Sequence, residues 1–374
     1  MIRREGIELI EKKLKEIDML NYDVLEGMAD WVRVIDKFGI IIYANKTMKK
    51  DLGEDIVGKR CYGVLGKQSP CDFCITERSI ATGEIVQKEE RVGDKYFSVK
   101  SSPVADSKGN IYAAVEVFRD VTRQRMLEKE LKEKNKKMKK DLCFAKTLQE
   151  KILPKKGKYG NIKIDHMYKP CELLSGDMYD VFYIDNEHIG IYISDVVGHG
   201  ITASMMTMFV RQTVRAIKDD YRSPGKTLTE LHKRFIDLDL DDDEYFTIFY
   251  GIFNNRTNEF KYANAGHNCI PILFNNEEIQ LLKMKGYPIS YIFNDIYYKE
   301  SSIELKPKDK ILFYTDGITE VKNEKKEEFG VERVIDSINH NRKDIIENLE
   351  KDVFKFNGGE QDDDFAVVLM RVLE

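Results

Sequence analysis

The chain has 374 residues, 42% hydrophobic and 33% charged, with a formal net charge of −5. That length predicts two domains with linkers rather than one core, and so small a net charge supplies no field for nucleic acid or acidic lipid. No apolar run reaches the ~20 residues of a membrane helix, and Glu5, Glu8 and Glu11 interrupt what would be the apolar part of an export signal. The expectation is a cytoplasmic protein with no nucleic-acid or membrane partner. Its six cysteines are then thiols or ligands rather than disulfides. The six histidines begin at His166, which excludes from the front of the chain both a histidine-ligated haem and a sensor kinase's phospho-accepting histidine.

In residues 1–21, Ile7, Ile10, Leu14 and Ile17 form one apolar stripe and predict an amphipathic helix over 5–20. It packs on its own domain or forms a short dimer seam. From 22 to 122 the signals are short strands. Trp31–Asp36 alternates, Lys37-Phe38-Gly39 turns, and Ile40–Asn45 returns, which is a β-hairpin pattern. Tyr96–Lys100, a turn at Asp106–Asn110 and the apolar strand Ile111–Phe118 follow. The hairpin ending in Tyr43-Ala44-Asn45, the Val57-Gly58-Lys59 segment and the exit Arg119-Asp120-Val121-Thr122 resemble a PAS domain. The resemblance implies an antiparallel sheet with helices that acts as a sensor.

Within this segment Cys61, Cys71 and Cys74 form a C-x9-C-x2-C set after which no histidine is near. Such a set suits an iron–sulfur cluster or another metal, a redox-active thiol group, or three free thiols. Cys143, Cys171 and Cys269 stand alone and read as ordinary buried thiols.

Residues 123–155 hold no Gly or Pro before Pro154, which predicts a helical linker. Leu131, Met138, Ala145 and Ile152 are seven apart and Leu142 fits the companion position, so a parallel two-stranded coiled coil, and hence a homodimer, is expected. Asn135 and Gln149 are polar where that seam wants apolar groups. The lysine run from Lys132 to Lys140 reads as a solvated helix face.

Residues 156–374 alternate strands and helices. Strands are predicted at Ile162–Met167, Met178–Ile184, Ile189–Ser194, Tyr245–Phe253, Glu259–Ala263, Ile270–Phe274, Ile311–Tyr314 and Phe365–Val372. Helices are predicted at Ile201–Lys218, Thr227–Phe235, Val331–Asn339 and Arg342–Phe354. Hairpin-linked strands point to antiparallel sheets with helices packed outside, an α+β class.

Four strings place acidic residues where strands meet turns: Ser175-Gly176-Asp177, Ser194-Asp195-Val196, Thr315-Asp316-Gly317 and Asp362-Asp363-Asp364. Clustered carboxylates without His or Cys ligands suit hard cations such as magnesium or manganese. A symmetric hairpin about Asp185-Asn186-Glu187 puts Asp177 nearly opposite Val196, with Asp195 one step away, so two carboxylates and the Val196 carbonyl share one strand end. Asp316 ends one strand and Asp363 begins another; if these run antiparallel, both lie at one sheet edge. Gly198 and Gly200 permit a tight turn into the helix from Ile201, whose N-terminus favours an anion. A pair of ions in such a site activates water against a phosphate ester. His199 and His267 are candidates for a leaving-group acid, His267 more naturally a structural hydrogen-bonding group.

From Leu148-Gln149-Glu150-Lys151-Ile152-Leu153-Pro154, through Gly176-Asp177-Met178-Tyr179-Asp180, Asp195–Gly200, Tyr262–His267 and Tyr314–Glu320, to Asp363-Asp364-Phe365-Ala366, the chain resembles PPM-type serine/threonine phosphatases of the stage II sporulation protein E and RsbU class. The resemblance implies an α-β-β-α sandwich holding two manganese or magnesium ions. It implies hydrolysis of phosphoserine or phosphothreonine on a protein, typically an anti-sigma-factor antagonist. By motif position it implies metal ligands at Asp177, Asp195, Val196 through its carbonyl, Asp316 and Asp363, the four aspartates also being catalytic. Ala366 stands where the family commonly has Thr, and Pro288-Ile289-Ser290 replaces Pro-Leu-Gly. The alternative is a non-catalytic signalling scaffold that uses the same fold to bind a partner; a cyclase or kinase output is disfavoured by the missing nucleotide loop and histidine.

Overall fold

The computed structural model describes residues 22–218, 222–240, 243–293, 296–340, 342–359 and 361–374; the helix expected over 5–20 lies outside them. The chain divides into two compact units between Lys137 and Met138.

The N-terminal unit is one antiparallel sheet in the order β2-β1-β5-β4-β3. Its strands are β1 (Trp31–Asp36), β2 (Ile41–Ala44), β3 (Val86–Val92), β4 (Lys95–Ala105) and β5 (Ile111–Asp120). Helices α1 (Lys46–Leu52), α2 (Cys61–Val64) and α3 (Ile75–Thr82) lie between β2 and β3. The first hairpin closes because Asp36 Oδ1 accepts from the N–H groups of Phe38 and Ile40, each at 2.9 Å, and Gly39 takes φ +80°. Asn45 then caps α1, its Oδ1 accepting from Met48 N and from Val32 N at 3.1 Å. Trp31 stacks on Phe97 at 4.3 Å in the core. On the same sheet Arg33 and Glu116 face each other across β1 and β5 and form a buried ion pair at 2.7 Å.

Helix α4 (Thr122–Ile152) starts where Thr122 N donates to Asp120 Oδ1 at 2.9 Å. Leu131 and Met138 lie exposed on it. Gln149, expected in the same seam, is instead 1% exposed and packed into the C-terminal unit. Among the described residues no helix is long and apolar enough to cross a membrane.

The C-terminal unit has two sheets. One runs β15-β11-β10-β9-β8 with β14 beside β10, the other β13-β12-β16-β17-β7-β6. The first comprises β8 (Asp177–Tyr183), β9 (His188–Val196), β10 (Tyr245–Asn254), β11 (Glu259–Ala265), β14 (Ile289–Ser290) and β15 (Ser301–Glu304). The second comprises β6 (Gly157–Tyr159), β7 (Ile162–Lys169), β12 (Ile272–Phe274), β13 (Ile279–Leu281), β16 (Lys310–Tyr314) and β17 (Phe365–Val372). Side-chain parity divides each strand between two layers. Tyr179, Val181, Ile191, Ile193, Phe249, Phe313 and Val368 fill the space between the sheets. Met178, Phe182, Tyr192 and Val196 face α5 (Ile201–Ile217) and α6 (Pro224–Ile236). Leu312, Tyr314 and Val367 face α8 (Gly330–His340) and α9 (Ile345–Phe356), and the one-turn α7 (Asp316–Thr319) precedes them. Strands covered on both faces read as continuous apolar runs. The order of layers is α-β-β-α.

Candidate metal centre

Asp177 and Asp195 have the parity of Tyr179 and Ile193, so both side chains point into the inter-sheet layer at its open end. They are direct cross-strand partners. The hairpin expected from the sequence placed Val196 nearly opposite Asp177; the observed register differs by one residue, because a turn centred on Asn186 pairs the positions nine residues to either side, Asp177 with Asp195. Asp185 Oδ1 accepts from Glu187 N and His188 N at 2.8 Å, and Ile184 N pairs with His188 O, which leaves an odd loop centred on Asn186. Asp177 therefore meets a carboxylate directly, the costlier arrangement for like charges.

Gly176 keeps this end tight. A Cβ there would lie 2.8 Å from the Gly198 carbonyl oxygen and 3.1 Å from that of Val196. Gly198 and Gly200 both take positive φ, at +82° and +83°, in the turn before α5.

The second sheet supplies the other edge. β16 and β17 are antiparallel, with Tyr314 opposite Val367, so the end of one and the start of the other coincide. Asp316 opens α7, and Asp363 precedes β17 and accepts from Asp364 N at 2.7 Å. A Cβ on Gly317 would lie 2.0 Å from the Asp364 carbonyl oxygen, so only glycine lets this helix abut that strand.

Two residues join the edges that the sequence could not bring together. Thr315 Oγ1 donates to Asp177 Oδ2 at 2.7 Å and accepts from Ala366 N at 3.1 Å. Asp364, buried, accepts from Cys171 N and Gly176 N at 2.8 Å. Asp364 thus ties the Cys171–Gly176 segment to the start of β17. Gln149 adds a third tie: its amide donates to Ser175 O at 2.8 Å and accepts from Ser175 N at 3.1 Å, two residues before Asp177.

The result is four carboxylates at one end of the inter-sheet layer whose charges act on one another, although among the described residues no three of them offer oxygens within 4.8 Å of each other. Burial, then Asp316 and Asp363, push Asp195 up to about 7. Burial and Asp195 hold Asp177 well above the carboxylate range. Burial and Glu320 raise Asp316, and burial raises Asp363. Among the described residues no lysine or arginine pairs with any of the four; the nearby cations Arg211 and Arg215 bind Asp180, and His199 binds Glu172. Such a group calls for cations from outside. The donor set, all oxygen, fits magnesium or manganese.

Cys171 Sγ lies within 4.8 Å of the carboxylates of Asp363 and Asp364. Burial and Asp364 push this thiol up to about 12. His267 is buried. Its Nε2 donates to Tyr314 O at 3.1 Å, so its Nδ1 accepts from Thr247 Oγ1 at 3.2 Å, and burial lowers it to about 4. It is a neutral strut between the sheets. His199 is exposed and pairs with Glu172 Oε1 at 3.1 Å.

In the other unit, Cys61, Cys71 and Cys74 line one cavity of about 20 Å³, together with Arg33 and Glu116. That is room for a water molecule. Among the described residues the three sulfurs do not gather within 4.8 Å of one another, so the geometry gives no support to an iron–sulfur cluster.

A profile of the family described as stage II sporulation protein E (SpoIIE) matches residues 185–373, just over half of the chain. The chain belongs to the SpoIIE family. A profile described as PAS fold matches residues 25–126. Phosphoserine phosphatase RsbP of Bacillus subtilis (strain 168) is 32% identical over 190 residues, 48% of this chain and 45% of that protein. Phosphoserine phosphatase RsbU of the same organism is 27% identical over 208 residues, 54% of this chain and 61% of that protein. The chain thus spans about half the length of the curated relatives it matches. Among solved structures, the SiaA-PP2C domain of Pseudomonas aeruginosa superposes with a TM-score of 0.54 at 24% identity, covering 63% of this chain and 98% of that one. At that identity the SpoIIE-family region shares its fold with that domain.

Proposed function

We propose that the chain is a metal-dependent phosphoprotein phosphatase acting on phosphoserine or phosphothreonine, with a PAS unit as its sensor. The observation that carries this reading is the set of four aspartates, Asp177 buried, Asp195 and Asp316 half-buried and Asp363 exposed, that no lysine or arginine pairs with among the described residues. Asp177, Asp195, Asp316, Asp363 and the Val196 carbonyl would hold two manganese or magnesium ions. Bound there, the ions would supply Lewis acidity toward water and a phosphoryl oxygen. The chain's own groups do the positioning. Thr315 fixes one oxygen of Asp177 and leaves the other free. Gly176 and Gly317 let the backbone close around the acidic end. The turn into α5 presents backbone N–H groups suited to an anion.

The names of the phosphoserine phosphatases RsbP and RsbU support phosphoserine as the group hydrolysed, and the family resemblance of the motifs extends this to a protein substrate of the anti-sigma-factor-antagonist type. Exposed Leu131 and Met138 on α4 support a coiled coil and a homodimer.

Hydrolysis of p-nitrophenyl phosphate by the whole protein, with manganese and with EDTA, tests the reading. A rate that needs manganese and is lost in Asp195→Asn is expected. A metal-bound protein with no rate on this ester or on phosphoserine peptides would leave the scaffold reading in its place.

A further inference from the structure

The three cysteines of the N-terminal unit do not share a metal-sized geometry, yet one of them has unusual neighbours. Lys67 Nζ donates to Cys71 Sγ at 3.4 Å, and Lys88 Nζ does so at 3.5 Å. Both ammonium groups also pair with Glu90 at 2.7 Å, which fixes them around the sulfur. Cys71 is only half-buried, so a small solute can reach it. Cys74 lines the same cavity three positions on, where its sulfur caps α3 by accepting from Glu77 N at 3.5 Å. Cys61 differs: its carbonyl is held by Arg33 Nη1 at 2.9 Å, and burial raises its thiol.

We propose that Cys71 and Cys74 are a hydroperoxide-sensitive dithiol pair, Cys71 attacking and Cys74 resolving. The attacking form of a thiol is the thiolate, and the two ammonium groups at the Cys71 sulfur face the charge that form carries. The thiolate attacks one peroxide oxygen. An S–O bond forms, the O–O bond breaks, and the alkoxide or hydroxide leaves and takes a proton as alcohol or water. Cys74 sulfur then attacks the Cys71 sulfenic acid. The S–S bond forms, the S–O bond breaks, and hydroxide leaves as water with the Cys74 proton. Two thiols and one hydroperoxide give a disulfide, an alcohol (or water) and water; the sulfurs lose two electrons and the peroxide gains them. Cys61 takes no part.

The pair is placed to act on the sheet. Thr76, two residues beyond Cys74 on α3, donates to Glu116, which holds Arg33. Glu116 lies on β5, and β5 runs straight into α4.

The test is made on the full chain and reads mass rather than hydrolysis, so it stands apart from the phosphatase reading. The protein is treated with stoichiometric hydrogen peroxide, alkylated with N-ethylmaleimide and digested with trypsin. Cleavage after Lys67 and Arg78 releases Gln68–Arg78 with both cysteines. We expect this peptide unalkylated and lighter by two hydrogens. In Cys74→Ser, dimedone should label Cys71. In Lys67→Gln with Lys88→Gln, oxidation should slow by about tenfold or more, because each ammonium contributes a direct charge contact. A peptide that stays fully alkylated while exposed Cys143 oxidises would overturn the proposal. So would a disulfide to Cys61, or a lysine double variant that reacts at the wild-type rate.

Discussion

Asp195→Asn should stabilise the C-terminal unit when cations are absent and remove most of its stabilisation by manganese. Asp195 faces Asp177 directly and is raised by Asp316 and Asp363. No described residue donates to its carboxylate, so the amide loses no partner. Holding a proton to about pH 7 rather than 3.8, at ~1.4 kcal/mol per pH unit, sets an upper bound of ~4 kcal/mol on the cost of ionising it. Shared titration with Asp177 makes about 2 kcal/mol the working figure. The sign follows from linkage. A carboxyl raised in the folded state favours folding while protonated, and that contribution is lost as pH rises from about 4 to about 7. The advantage of Asn over Asp should therefore be small at pH 4.5 and full at pH 8. At ~2–4 °C per kcal/mol, it amounts to roughly 4–8 °C in EDTA at pH 8. Manganese at ~100 times its Kd should add about 2.7 kcal/mol to wild type and little to the variant. Calorimetry is the assay. Trp31, the single tryptophan, lies in the N-terminal core, so its fluorescence transition is an internal control that neither change should move. A variant that melts at or below wild type in EDTA at pH 8, or that gains equally from manganese, would refute the uncompensated charge.

Thr315→Val removes the donor to Asp177 and the acceptor for Ala366 N. It should lower stability by about 1–3 kcal/mol and manganese-dependent turnover by about tenfold, with Thr315→Ser restoring most of both. Gln149→Leu leaves the buried Ser175 N–H and C=O unpaired. A loss of about 2–3 kcal/mol should appear in urea denaturation followed by calorimetry, with faster amide exchange at Gly176. Glu116→Gln strands Arg33 in the sheet, and the Trp31 fluorescence midpoint should fall by about 3 kcal/mol in equivalent stability while the C-terminal transition stays in place.

What could be read in advance was whatever one hairpin or one turn decides. The β8–β9 pair is two apolar runs about an Asp-Asn-Glu turn, and the first hairpin is an alternating run, a Lys-Phe-Gly turn and a return ending at Asn45. The register of β8 on β9 follows from the centre of their turn: with Asn186 in the middle, held by the two N–H groups that donate to Asp185, Asp177 falls opposite Asp195 rather than Val196. Strand β3, Val-Gln-Lys-Glu-Glu-Arg-Val, carries no apolar period between its end valines; it alternates between half-buried and exposed along an edge. Strands β13, β14 and β15 have four residues or fewer and carry no period.

The longer-range errors share one cause. Gln149 sits at a heptad position, where a seam wants an apolar group, yet it is a good fit to a surface 26 residues away in sequence. A heptad states which residues share a helix face and not what that face meets. The ties made by Thr315 and Asp364 are hidden in the sequence for the same reason. Each is a small polar residue beside a more conspicuous aspartate, and each spans a gap of well over 100 residues, from Thr315 to Asp177 and from Asp364 to Cys171 and Gly176. The acidic strings at strand ends can be found one at a time. That they form one site follows only when two sheets stack, and the groups that align the stack are hydrogen-bonding side chains whose partners no local pattern names. The site's charge is thus legible in sequence, while its geometry resides in Thr315, Asp364 and Gln149.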